Sequence, residues 1–280
     1  MISISGGMAQ LNHFVVEIQG GGPIPSQTAG VPLFIEVLAQ DSTNNIDTAF
    51  QGKVRVTSVG MTPNSILTPA FVKGVLNSFS VTFFNAGTFT LTATSTTGIQ
   101  AGTSNSFSVG PTTAITVNVE TAPDGTGGIV PAQNVVSGNS VSMYAVTRDS
   151  FGNFIGNIAA DSWLLQNKTG GVVNGNLISS GDRKNAVFTG SLIGSGSVSA
   201  NVATLSSSGS GTLTVIPGLA SALTFIQQPS NAQAGSIIGP AIKVELTDQA
   251  GNAIHTAGMN VSVTSSSGTL KGTTTQSTDT

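Results

Sequence analysis

The sequence predicts an all-β chain arranged as tandem β-sandwich domains, two complete and a third partial. Three observations predict it. Short apolar alternations fill the chain, and no segment sustains helical i, i+3, i+4, i+7 spacing without interruption by Gly, Thr, Ser or Val. Of 280 residues, 35 are Gly, 39% are hydrophobic and only 8% are charged, a balance that favours short strands separated by turns. One strand-and-turn unit also recurs three times, at intervals of roughly 100 residues.

The unit is clearest in its third copy. Ile242, Val244 and Leu246 alternate with Lys243, Glu245 and Thr247 and run into Asp248-Gln249-Ala250-Gly251-Asn252. In the second copy Met143, Ala145 and Thr147 precede Asp149-Ser150-Phe151-Gly152-Asn153, and in the first Ile35, Val37 and Ala39 precede Asp41-Ser42-Thr43-Asn44-Asn45. Upstream of each strand a small residue precedes glycine, at Ala29-Gly30, Ser137-Gly138 and Ala234-Gly235, where the chain turns into the strand. Downstream, Val54-Arg55-Val56-Thr57-Ser58 matches Val261-Ser262-Val263-Thr264-Ser265, and Trp163-Leu164-Leu165 fills that place in the middle copy.

Repeat one closes with Phe89, Leu91 and Ala93 on one face of a strand and a last strand around Phe107–Val109. Repeat two closes with the segment from Gly196 to Val202 and then Leu213–Ile216. The third copy has no counterpart of these late strands. The expected division is an N-terminal extension at 1–8, immunoglobulin-like domains at 9–110 and 111–216, and an incomplete one at 217–280, with continuation of the natural chain favoured over strands supplied by a neighbouring subunit. Gly110-Pro111 and Pro217-Gly218 are short, φ-limited joints, which predicts a stiff array.

The Asp-x-x-Gly-Asn turn and the Val-x-Val-Thr-Ser strand resemble those of bacterial Ig-like repeats of the invasin and intimin kind. Val244-Glu245-Leu246-Thr247-Asp248-Gln249-Ala250-Gly251-Asn252 with the later Thr278-Asp279 carries the resemblance best; Asn44 departs from it by replacing glycine, and repeat two diverges after Leu165. The resemblance implies modules that act mostly as stalks, presenting an adhesive tip away from a cell.

Charge and composition remove several functions. A net charge of −3, with nine Lys and Arg scattered along the chain, gives no footprint for nucleic acid. No run of eighteen apolar residues predicts a transmembrane segment. With no cysteine, disulfides and thiolate metal sites are excluded, and each domain must cohere by packing and pairing alone. The N-terminus lacks the basic and apolar regions of a signal peptide, so the expected extracellular or cell-surface location rests on composition.

Candidate sites reduce to turns. Asp41, Asn44, Asn45, Asp149, Gly152, Asn153, Asp248, Gly251 and Asn252 are read as structural turn residues, the aspartate capping backbone N–H groups while Asn44 or the glycine takes the left-handed conformation. A calcium site needs six or more oxygen ligands, and no acidic cluster accompanies these turns. Catalytic, cofactor and metal residues are expected to be none: His13 and His255 fall at unrelated places, Gly209-Ser210-Gly211 reads as a loop, and Gly20-Gly21-Gly22-Pro23 precedes no helix. Trp163 is assigned to the core. Leu38, Tyr144 and Val146 point away from the predicted inner face and form a possible interface.

The expected function is therefore a non-catalytic structural or adhesive repeat protein, a stiff stalk on a bacterial surface whose partners are a surface ligand or identical subunits. Two alternatives stand beside it: a subunit of an extracellular filament or surface layer, a possible homo-oligomer in which neighbours complete the third domain, and a non-catalytic segment of a larger secreted enzyme or phage fibre.

Overall fold

A computed structural model describes residues 10–279; the expected N-terminal extension at 1–8 lies outside them. Among the described residues every regular element is a β-strand except one short 3-10 helix, Asn174–Asn176. This is the all-β architecture that the period-2 patterning predicts. Two compact units make up the chain. The first takes the chain up to Thr116 together with Thr147–Gly156, and the second takes Val117–Val146 with the chain from Asn157 onward.

In the first unit, one sheet sets His13–Ile18, Pro32–Gln40 and Val75–Thr82 side by side, all antiparallel. Opposite it lie a four-stranded sheet of Ser65–Leu67, Val54–Thr57, Thr92–Ser95 and Ala101–Thr103, and a three-stranded one of Gln27–Thr28, Phe107–Gly110 and Gly87–Phe89. The chain changes sheets early: after His13–Ile18 it crosses over and pairs Gln27–Thr28 parallel to Phe107–Gly110. The glycines 20–22 make that crossing, all with φ between +92° and +97°, which is why three are needed in a row.

Strict alternation decides what enters the core. Along Pro32–Gln40, Leu33, Ile35, Val37 and Ala39 are all buried while their neighbours are exposed or half-buried. They meet Val54, Val56, Leu91 and Ala93 from the facing sheet. Two aromatic clusters complete this interior. Phe14, Phe50 and Phe71 stand with ring centroids 5.0–5.8 Å apart, and Phe83 contacts Phe89 at 5.1 Å and Phe107 at 5.3 Å. Truncating one such buried ring costs about 3–5 kcal/mol.

The second sandwich repeats the plan with different side chains. Leu177–Ser179, Asn185–Thr189, Ser140–Arg148, Thr116–Glu120 and Ser206–Ser208 follow one another in one sheet, and Gln133–Val136, Leu213–Ile216, Gly194–Asn201 and Ser162–Gln166 in the other. Here too an early strand switches sheets, Gln133–Val136 pairing parallel to Leu213–Ile216. The core holds Met143, Ala145, Phe188, Val198, Ala200 and Leu213, with Trp163 partly buried against it and donating its indole N–H to the Arg183 carbonyl at 2.9 Å. The indole thus packs its apolar body and satisfies its one donor.

The third repeat forms two-stranded sheets only: Ala220–Gln227 with Lys243–Asp248, and Asn260–Ser262 with Thr275–Ser277. Seven of the eight residues of Ala220–Gln227 are exposed, among them Leu223, Phe225 and Ile226. The alternation expected along Ile242–Thr247 brings only partial burial to Val244 and Leu246, in a sheet of two strands.

Two sequence expectations need correction. Val146 does not face solvent: it is fully buried, on the part of Ser140–Arg148 beyond Tyr144, where pairing with Asn185–Thr189 has ended and Phe154–Asn157 also pairs with the strand. Leu38 and Tyr144 are half-buried rather than open. The start of the late strand in repeat two is Gly194 and not Gly196, for Gly194 pairs with Val215 as Gly87 pairs with Val109.

Candidate functional site

The Asp-x-x-Gly-Asn turns have one backbone design in all three copies. Asp41, Asp149 and Asp248 each accept the amide of the residue four positions on through Oδ1, at 3.0, 2.9 and 2.9 Å, and the amide two positions on at 2.8, 2.9 and 2.9 Å. A left-handed residue closes the loop: Asn44 at φ 65°, Gly152 at 82° and Gly251 at 87°. Asparagine tolerates that region better than other side-chain-bearing residues, so Asn44 fills the glycine place without changing the turn. The aspartate satisfies amides that the tight reversal leaves without strand partners.

The copies differ in what their last asparagine holds. In the first, Asn45 is exposed and its Nδ2 donates to Thr43 Oγ1 at 2.7 Å, within its own turn. In the second, within the first compact unit, Asn153 Nδ2 donates to Phe84 O at 2.8 Å while Ala86 N donates to Asn153 Oδ1 at 2.8 Å. In the third, within the second unit, Asn252 Nδ2 donates to Ser191 O at 2.7 Å while Ile193 N donates to Asn252 Oδ1 at 2.8 Å. Each amide thus reads a carbonyl and the N–H two residues later, the pair that a neighbouring β-strand would use. Phe84–Ala86 and Ser191–Ile193 belong to the repeat before the turn, directly ahead of Gly87 and Gly194.

The second carboxylate oxygen completes each joint. Asp149 Oδ2 accepts from Asn153 Nδ2 and Thr112 N, both at 2.9 Å, and Asp248 Oδ2 accepts from Asn252 Nδ2 and Gly218 N, both at 2.8 Å. Thr112 and Gly218 lie in the short connections between repeats. One carboxylate therefore ties turn, connection and asparagine together, with charge-assisted bonds stronger than neutral ones.

Electrostatics follow from these bonds. For Asp149, desolvation pushes the carboxyl up, but the bonds from the Asn153 side chain and from the Thr112, Asn153 and Phe151 amides together outweigh it and hold it below the usual range. For Asp248 the Asn252 side chain and then the Gly218 amide dominate, and the carboxyl lies far below ordinary values. Asp41, held by the Asn45 amide and then by the Thr43 side chain, is also lowered. Asp124 is lowered by the Thr126 side chain and amide, an exposed local turn of its own.

The rims of the two joints differ. At the first, Phe151 lies over Gly30 and against Phe84, ring centroids 5.1 Å apart; a Cβ at Gly30, whose φ is 77°, would stand 2.6 Å from the Phe151 ring. At the second, Ala250 takes the place of Phe151, and Asn252 Nδ2 also reaches Ser137 Oγ at 3.2 Å, whose hydroxyl donates to Ser191 O at 2.7 Å.

The receiving segments are what sequence reading missed. Their signal was faint: a glycine placed alike in both complete repeats, at Gly87 and Gly194, after residues with nothing else in common. Ser210, read as a loop residue, has a definite task. Its Oγ accepts the Val198 amide at 2.8 Å, as Ser104 Oγ accepts the Leu91 amide at 3.0 Å in repeat one. Both serines lie where the chain passes from one sheet to another, between Ala101–Thr103 and Phe107–Gly110 and between Ser206–Ser208 and Leu213–Ile216. Among the described residues no group of three or more His, Asp or Glu is placed to hold a metal ion, and no helix is long and apolar enough to cross a membrane.

No protein-family model matches the chain, and no curated protein matches it. Solved structures similar to it include an Escherichia coli adhesin, FdeC, at 16% identity over 90% of this chain and 78% of that one, TM-score 0.39. Invasin, a bacterial integrin-binding protein, is similar at 15% identity over 94% of this chain and 53% of its own, TM-score 0.30. Domains 4–9 of the surface layer protein SbsC are similar at 17% identity over 77% of this chain and 33% of theirs, TM-score 0.27. The chain thus spans about half of the invasin structure and a third of the SbsC structure.

Proposed function

We propose that this chain is a non-catalytic structural repeat protein of a bacterial cell surface, a stalk in which immunoglobulin-like domains at 9–110 and 111–216 and an incomplete one at 217–280 hold a binding region away from the cell. The observation that carries this reading is the joint seen twice, in which Asn153 and Asn252 make the same pair of bonds to the preceding repeat. A chain whose domains merely followed one another would have no use for a repeated backbone-reading amide at successive connections. A stalk has such a use, because each joint resists bending.

Small-angle scattering on the full chain tests it. The wild type is expected to keep one narrow distribution of interatomic distances, and the Asn153→Ala, Asn252→Ala double variant to broaden it with both sandwiches still folded. A wild type as flexible as the double variant would sink the stalk reading.

A second reading has its own observation. Leu223, Phe225 and Ile226 lie exposed on one two-stranded sheet, as a filament or surface-layer subunit finished by a neighbouring chain would require. Concentration-dependent ordered polymers of this chain in electron microscopy would favour it, and a monodisperse species would remove it.

A further inference from the structure

Both joints share the amide and carboxylate core, yet the groups around that core are unlike. The first has Phe84, Phe151 and the bare backbone of Gly30. The second has the Ser137 hydroxyl, which donates to Ser191 O and lies 3.2 Å from Asn252 Nδ2, and beside it Ala250, too small to cover anything; the Ser191 hydroxyl itself accepts from Asn176 Nδ2 at 3.1 Å. The positions correspond one to one. Ala29 and Ser137 each donate their amide to the carbonyl ending the repeat's last strand, Gly110 and Ile216, both at 2.9 Å. Gly30 and Gly138 each donate to the residue just before the receiving segment, Phe83 at 2.7 Å and Gly190 at 2.8 Å. So Phe84 stands where Ser191 stands, and Ala29 where Ser137 stands.

Each rim is consistent only with its own turn. Phe151 needs a residue without Cβ beneath its ring, which Gly30 supplies, and an apolar neighbour, which Phe84 supplies. Placed in the second joint, it would cover the Ser137 hydroxyl with an apolar ring. Ala250 against Phe84 would leave that ring open to water. The Ser137 hydroxyl donates to Ser191 O, the same carbonyl that Asn252 reads, and Ala29 has no hydroxyl to give.

We infer that these rims form an interaction code: the residue third in the turn, with the two receiving positions of the preceding repeat, determines which repeat docks after which. The amide supplies a contact any such repeat could make. The rim supplies selectivity, in the way that unsatisfied or uncovered groups penalise a wrong partner. This rests on the stalk reading and adds to it that the joints are not interchangeable.

Hydrogen exchange on the full-length chain measures each joint separately, because Ala86 N–H and Ile193 N–H are the amides that each joint protects. Phe151→Ala or Phe84→Ser alone is expected to reduce protection of the Ala86 amide at least tenfold, leaving Ile193 unchanged. The triple exchange Ala29→Ser, Phe84→Ser, Phe151→Ala puts the Ser137-type hydroxyl in place of both rings, and protection is expected to return to within about threefold of wild type. Single variants without effect at Ala86, or a triple variant exchanging as fast as the worse single one, would overturn the code. Should Phe84→Ser open the sheet containing Pro32–Gln40, Phe84→Leu and Phe151→Leu decide instead: losses less than multiplicative on combination support the pairing, and multiplicative losses overturn it. Failure here leaves the amide bonds in place, so the stalk reading falls only by the scattering result.

Discussion

Asn153 and Ala86 face each other as two paired strands would, the Ala86 amide donating to Asn153 Oδ1 at 2.8 Å beside the bond from Asn153 Nδ2 to Phe84 O. Sixty-odd residues of chain separate them, so the contact is tertiary and its loss is felt beyond the turn.

Removing the amide leaves a carbonyl and an N–H without partners and strips Asp149 of one donor. Asn153→Ala and Asn252→Ala are each expected to lower stability by about 1–3 kcal/mol, the usual penalty for unsatisfied groups shielded from water. Asn252, buried where Asn153 is half-buried, takes the larger loss. Asn45→Ala should stay within about 0.5 kcal/mol, as its side chain is exposed and bonds to Thr43 and Asp41 of its own turn. Urea unfolding of the three variants measures the order; equal effects at all three would show that the joints add nothing to the turns.

The legibility of this structure divides along a physical line. Local alternation reported the strands and cores well, because Ile35, Val37 and Ala39 or Met143 and Ala145 must face inward whatever else happens. The turn chemistry was equally readable, since Asp caps and a left-handed residue are properties of five adjacent positions. What the asparagine grips was not. Its partners are backbone groups of Phe84, Ala86, Ser191 and Ile193, and backbone groups leave no letter in the sequence. Val146 was misplaced for a related reason: period-2 reasoning assigns a residue to a face, but whether that face meets water depends on which strands lie alongside.

Val146 gives a direct test of that correction. As a fully buried side chain it should not tolerate a hydroxyl, and Val146→Ser is expected to cost about 2–3 kcal/mol through lost burial and a shielded polar group. Tyr144→Ser, at a half-buried position, should cost less. Thermal unfolding of both checks it, and a Val146 variant as stable as wild type would contradict the burial.

Ser104 and Ser210 carry a matched expectation. Each hydroxyl accepts a buried backbone amide, that of Leu91 just before Thr92–Ser95 or of Val198 within Gly194–Asn201, where the chain passes between sheets. Alanine there removes the acceptor while both residues stay buried, so each variant should lose about 1–2 kcal/mol. Faster exchange confined to the Leu91 or Val198 amide would identify the cause. Loss of protection across the whole sheet would assign the serines a broader role.

The carboxylates make the joints sensitive to acid. Asp149 and Asp248 are held below the ordinary carboxylate range when folded, whereas in the unfolded chain they titrate near the ordinary value of about 3.9. A folded carboxyl with a depressed pKa contributes stability in full above its unfolded pKa, and that contribution is lost as pH falls below about 4 toward the folded value. Urea midpoints should therefore be insensitive to these groups between about pH 5 and 8 and should decline below pH 4. Asp149→Asn keeps an oxygen for the Phe151 and Asn153 amides but turns an NH2 toward Asn153 Nδ2 and Thr112 N, donor against donor. The Asp149→Asn, Asp248→Asn variant is thus expected to be less stable at neutral pH and to show a shallower acid decline, while Asp124→Asn, whose carboxylate holds Thr126 in an exposed local turn, should retain the wild-type plateau. An acid decline as steep in the double variant as in wild type would place the sensitivity in other carboxylates and remove Asp149 and Asp248 from the account.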